Sequence, residues 1–121
     1  IRFGDQDPLG HVNNAAIAAY LEHARCGLLL PLIRAAGVPN LDIVLARIII
    51  DYLKELRYPG EIEAGTRLAR IGNKSFVVVS SVFAGGTCAV TSQSTIVFFD
   101  TAARRAVAPP DPVRQALVAL T

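Results

Sequence analysis

The chain has no methionine, no tryptophan and only two cysteines, Cys26 and Cys88. The thiols lie far apart and show no C-x-x-C or Cys/His spacing, so a disulfide framework and a zinc site are both excluded as readings. A reducing, cytoplasmic setting is expected. Charge of one sign is also missing: 12 basic residues stand against 10 acids, for a net charge of +2. The basic side chains are interspersed with acids, which leaves no continuous positive stripe for a phosphate backbone, and nucleic acid is not an expected partner. No uninterrupted apolar run reaches the ~18 residues of a membrane span, so a membrane is not expected either. The chain starts at Ile1 and holds no methionine, from which we expect a few residues ahead of it. It contains no charged-then-apolar leader pattern.

What the chain does have is apolar surface. Of its 121 residues 52% are hydrophobic, and the mean hydropathy is +0.42. A chain of this length is expected to form one domain, residues 1–121, burying roughly two-thirds of its unfolded surface. The apolar surplus beyond that points to an oligomer. From Asn13 to Ala36 the residues Ile17, Leu21, Ala24, Leu28, Leu32 and Ala35 fall at helical spacing, which predicts one long helix capped by Asn13 or Asn14 and ended at Gly37. Pro31 predicts a kink or a break within it. Extended patterns rich in β-branched residues follow at Ile43–Leu56, Ile62–Ile71, Lys74–Ala84 and Cys88–Asp100, separated by "YPG", "GN" and "GG" turns. Short connections make these strands antiparallel neighbours. Several are apolar on both faces, so both faces of the sheet need cover. "PPDPVRQALVAL" predicts a short terminal helix or tail. A strand remnant, a long apolar helix and at least four antiparallel strands define an α+β class with a sheet curled around a central helix, the hotdog architecture.

The junction ahead of the helix gathers polar groups that a core does not need. Its sequence, "GDQDPLGHVNNAAIAAYLEHAR" from Gly4 to Arg25, resembles the N-terminal signature of acyl-CoA thioesterases of the 4-hydroxybenzoyl-CoA thioesterase branch of the hotdog superfamily. The likeness continues through "IDYLKELRYPGEIEAGTRLARIGNKSF", Ile50 to Phe76. The resemblance implies a homodimer or homotetramer that hydrolyses coenzyme A or acyl-carrier-protein thioesters with no metal or cofactor. It implies that Asp7, the acid of D-P-L-G, is the catalytic carboxylate and that the backbone N–H of Asn14 polarises the thioester carbonyl. Lys74 and Ser75 are implied as contacts for the coenzyme A phosphates, although Gly72 and Asn73 beside them are not basic. His11 and Arg57 complete the expected substrate-binding set.

These residue types suit the reaction. A carboxylate can attack the thioester through a mixed anhydride, or activate water to do so. Unpaired N–H groups at a helix start favour the developing oxyanion. The alternative for Asp7 is an ordinary turn former whose oxygen accepts backbone N–H groups. Asp5 reads as a local hydrogen-bonding acid, and His11 as a group that orients Asp7 or a structural one. Glu22 is a rival carboxylate whose simpler role is an ion pair with Arg25. Cys26, in mid-helix, reads as packing rather than as a nucleophile. Two other functions stay open: an acyl-thioester hydratase or dehydratase, loosely suggested by His23 beside Glu22, and a non-catalytic acyl-thioester-binding or assembly domain.

Overall fold

The computed structural model describes residues 1–121. Its elements are a 3-10 turn at Phe3–Asp5, helix α1 (Asn14–Ala35), strands β1 (Leu41–Tyr52), β2 (Glu63–Ile71), β3 (Ser75–Ala84), β4 (Thr87–Asp100) and β5 (Arg105–Ala106), and helix α2 (Asp111–Val118). The strands form one antiparallel sheet in the order β1-β4-β3-β2, and β5 adds to the end of β4. α1 lies across β2 and β3, so the sheet curls about the helix as expected for a hotdog fold.

α1 begins where the Asn13 side chain accepts the Ala15 N–H at 2.8 Å, and it ends as Gly37 takes φ +65°. Pro31 neither breaks nor divides it. The carbonyl that loses its partner belongs to Gly27, which is exposed and open to water, so the cost of the missing bond is small there. By length and composition α1 meets the threshold for a membrane span after all. Ile17, Leu21, Leu29 and Ile33 are nevertheless buried against the sheet, which makes it the core helix of this fold.

Three other expectations are corrected. The buried row of α1 is Ile17, Leu21, Arg25, Leu29 and Ile33, while Ala24, Leu28 and Leu32 only flank it. Apolar periodicity selects apolar residues and so passed over Arg25, which sits mid-row. The N-terminal strand is also absent. Asp7 N–H bonds the His11 carbonyl at 2.9 Å and Gly10 N–H the Asp7 carbonyl at 3.1 Å, so the segment spends its backbone groups on its own turn and keeps one bridge, Gln6 to Val12. β1 stops at Tyr52 rather than Leu56, because Leu53 and Lys54 N–H both turn to the Ala89 carbonyl.

The core is divided. Toward the start of α1, Ile17 and Leu21 pack with Val12, Leu56, Val82, Ala89 and Val90. Toward its end, Leu29 and Ile33 pack with Leu68, Val78, Ile96 and the Phe76–Phe98 ring pair, whose centroids are 5.1 Å apart. α2 closes this second end with Val113 and Leu117, and Arg114 bonds the Gly72 and Asn73 carbonyls at 2.8 and 2.7 Å. On the outer face Val77 is buried, but Val44, Ile49 and Phe83 are 46%, 40% and 38% exposed, so this face is only partly covered.

Candidate active site

The Asp7–His11 turn is pinned to the segment after β1 by the Val12 N–H, which bonds the Leu56 carbonyl at 2.8 Å. Gly10, at φ +88°, gives the turn the left-handed step that a side chain would resist. Asp7 Oδ1 accepts the Leu9 N–H at 2.9 Å and, more weakly, the His11 N–H at 3.4 Å. Its Oδ2 lies 3.2 Å from His11 Nδ1. The turn-forming and the His-paired readings of Asp7 therefore coexist: one oxygen shapes the loop and the other faces the imidazole.

His11 Nε2 points toward Glu55 Oε1 at 3.9 Å, and Glu55 Oε2 holds Arg57 Nη2 at 2.8 Å. Arg57 Nη1 returns to the Gly10 carbonyl at 3.5 Å. A row Asp7–His11–Glu55–Arg57 thus runs from the turn to the segment after β1. Glu55 carries no local signal in the sequence. It joins the row only because long-range backbone bonds place its segment beside the turn.

The helix start completes the constellation. Asn13 caps the Ala15 N–H, while the Asn14 N–H has no partner within the protein, on a residue that is exposed. His11 and Asn14 both line a cavity of about 250 Å³, with Ile17, Tyr52, Leu53 and Glu55 among its walls. An N–H at the positive end of a 22-residue helix is suited to an oxyanion that forms in that cavity.

Asp5 has a different role. Its buried carboxylate takes the Arg2 N–H at 2.9 Å, the Arg2 guanidinium at 3.0 Å and the Tyr20 hydroxyl at 2.5 Å, and its own carbonyl takes the Asn13 N–H at 2.8 Å. It ties the N-terminal turn to α1. The Tyr20 bond, followed by the Arg2 N–H, lowers the Asp5 pKa from 3.8 to about 2. Burial, followed by the Asp5 bond, raises the Tyr20 pKa from 10.0 to about 12. Asp5 therefore contributes stability that is present above pH ~4 and lost as the pH falls toward ~2. Tyr20 contributes stability that is lost as the pH rises from ~10 to ~12. Melting temperature followed against pH should fall in both windows. Asp5→Asn is expected to flatten the acid limb, and Tyr20→Phe the alkaline limb and part of the acid one.

The remaining expected residues do not gather here. Ser75 opens β3 opposite Val97, while the Asp7 turn sits near the Tyr52–Val90 pair, so within one chain Lys74 and Ser75 are separated from Asp7 by roughly 24 Å of β4. Glu22 and His23 open into different cavities, one lined by Arg25 and Ile43, the other by Tyr20 and Ile62. Consecutive helical residues point ~100° apart, and no hydratase-like His–acid pair forms. No cluster of three His, Cys, Asp or Glu side chains is placed to hold a metal ion.

A sheet rolled around one helix, with the Asp-Pro-x-Gly turn at the helix start, is the build of a hotdog-fold thioesterase. The chain belongs to the thioesterase-like superfamily, whose profile matches residues 1–117. Among solved structures it resembles a thioesterase from Thermus thermophilus complexed with coenzyme A and Zn, at 31% identity and a TM-score of 0.87 over 99% of this chain and 88% of that one. It also resembles the PA5185 protein of Pseudomonas aeruginosa strain PAO1, at 29% identity and a TM-score of 0.82 over 100% of this chain and 87% of that one. A protein from Bacillus stearothermophilus described as a predicted thioesterase shares the fold, at 23% identity and a TM-score of 0.91 over 100% of this chain and 91% of that one. No curated protein matches the chain.

Proposed function

We propose that this thioesterase hydrolyses acyl-coenzyme A thioesters at the helix start, with Asp7 delivering the nucleophile and the Asn14 N–H receiving the carbonyl oxygen. The observation that carries this reading is that Asn14, whose N–H is unpaired, lines one cavity with His11, whose imidazole faces Asp7 at 3.2 Å, Asp7 itself standing outside the lining. In hydrolysis the Asp7 carboxylate attacks the thioester carbon, or takes a proton from the water that does. The electron pair of the carbonyl moves to oxygen, where Asn14 stabilises it, and collapse expels the coenzyme A thiolate, which takes up the proton released by water. Where Asp7 itself attacked, water then cleaves the mixed anhydride to the free acid and restores the carboxylate. The T. thermophilus thioesterase complexed with coenzyme A supports that class of thiol. Lys54 lines the cavity and Arg57 lies beside the turn, so both are cations at hand for a coenzyme A phosphate.

Lys74 and Ser75 serve the same ligand only if a second copy brings them, and a homodimer is the form we assign. The 12-residue β1 lies at the edge of the sheet with one side unpaired, and Val44, Leu45, Ile49, Tyr52 and Leu53 around it are exposed. A long apolar edge of this kind invites pairing. The partly covered outer face would serve a further pairing into a tetramer. Both cysteines are free, which suits the cytoplasm. Free-thiol release from a panel of aryl- and fatty-acyl-CoAs tests the activity, and light scattering on the eluted protein tests the assembly. Absence of release from every thioester, with the ligands still bound, would favour a binding module instead; a monomer would remove the role given to Lys74 and Ser75.

A further inference from the structure

Arg25 is the one charged member of the buried row of α1, between Leu21 and Leu29, and only 5% of it is exposed. Its Nη1 is buried and has no partner. Its sole acid, Glu22, is 67% exposed and stands 3.6 Å from Nη2, outside hydrogen-bond reach for a firm pair. A buried guanidinium with so little compensation is destabilising by itself. It lines a cavity of about 130 Å³ whose other walls include Cys26, Leu29, Ile43, Leu45 and Ile96.

The sheet beneath the helix is polar at the same level. Thr66, Ser80 and Ser92 are in register across β2, β3 and β4, with Ser94 two residues farther along β4. Ser80, Ser92 and Ser94 are buried, and Thr66 and Ser80 share a hydroxyl bond at 3.1 Å. This belt separates the two halves of the core, just as Arg25 separates Leu21 from Leu29. Asn14 and Arg25 lie on the same side of α1 about three turns apart, roughly 16 Å along the axis, and the arginine side chain leans back toward the helix start. The cavity at Asn14 meets β1 at Tyr52 and the cavity at Arg25 meets it at Ile43 and Leu45. The two share no wall, and the fully buried Leu21 lies between them on α1, so an acyl chain reaching from one to the other displaces that packing.

We propose that Arg25 is a specificity residue that receives a carboxylate at the far end of the acyl group, so that the preferred substrates are thioesters of dicarboxylic or carboxyaryl acids. This rests on the hydrolase reading of Asp7 and Asn14. With the carbonyl at the Asn14 amide, an acyl chain of medium length carries its terminal carboxylate to Nη1, and the guanidinium fork matches that group in shape and charge. Glu22 competes from the rim.

The test compares adipyl- with hexanoyl-CoA and suberyl- with octanoyl-CoA, taking the ratio of kcat/KM within each pair so that effects on the shared chemistry cancel. The wild type should favour the carboxylated member by about 10- to 100-fold, the scale of a charge-assisted hydrogen bond. Arg25→Met should erase that preference while leaving Tm unchanged or higher, and Glu22→Gln should increase it. Equal rates within each pair, or a preference that survives Arg25→Met, overturn the proposal. So does an Arg25→Met protein that keeps the wild-type ratio but loses Tm or its assembled state, since Arg25 would then serve folding or the contact between copies. Calorimetry with the matching non-hydrolysable coenzyme A thioethers repeats each comparison as binding. Absence of turnover on every thioester therefore sinks the hydrolase reading alone, and the binding ratio still decides Arg25.

Discussion

Asp7→Asn is expected to lower kcat by about 100- to 10,000-fold, the range of a lost general base, with KM and Tm little changed. Asparagine keeps an oxygen where Oδ1 accepts the Leu9 N–H at 2.9 Å, so the turn survives. What it loses is the negative charge facing His11 Nδ1 at 3.2 Å. The substitution thus separates the turn-forming role that the structure shows from the catalytic role proposed for the same side chain. A purely turn-forming Asp7 would leave turnover of acyl-CoA intact in the asparagine variant. Asp7→Ala removes the turn contact as well and should lose stability in addition to activity. Free-thiol release alongside thermal melting reads both quantities.

The second large effect is expected from Asn14→Pro. Asn14 is the first residue of α1, a position where proline is well tolerated because its N–H has no helical partner. Asn13 before it already has the extended backbone that proline demands, at φ −66° and ψ 144°. The exchange therefore deletes one backbone donor and leaves the helix in place. Loss of an oxyanion donor costs about 100- to 1,000-fold in kcat in a comparable hydrolase, and that is the expected result here, with Tm within a few degrees of wild type. Asn14→Ala keeps the N–H and should remain close to wild type. Equal activity in the proline and alanine variants would remove the Asn14 amide from the mechanism.

Local signals made much of this molecule legible. The bounds of α1, β2, β3 and β4 fall within a residue or so of the sequence pattern, since each is written in nearest-neighbour terms: an asparagine cap, a glycine stop, β-branched runs between Gly and Pro turns. The D-P-L-G turn and the helix start are equally local. The first strand failed because its backbone groups bond within the turn rather than to the sheet, and a list of residue types does not show which of two partners a backbone N–H takes.

The amino-acid sequence by itself determined the long helix, strands β2, β3 and β4, the antiparallel class and the polar junction ahead of the helix, because caps, turns and periodicity act over a few residues. Only the tertiary structure decided what those residues face. Glu55 reached His11 through backbone bonds to Ala89 and Leu56, Tyr20 reached Asp5 across the turn, and Lys74 and Ser75 went to the far end of the sheet. Arg25 was buried because the row of α1 that meets the sheet follows from how the helix lies across β2 and β3. That orientation is a balance of long-range packing, and no local pattern encodes it.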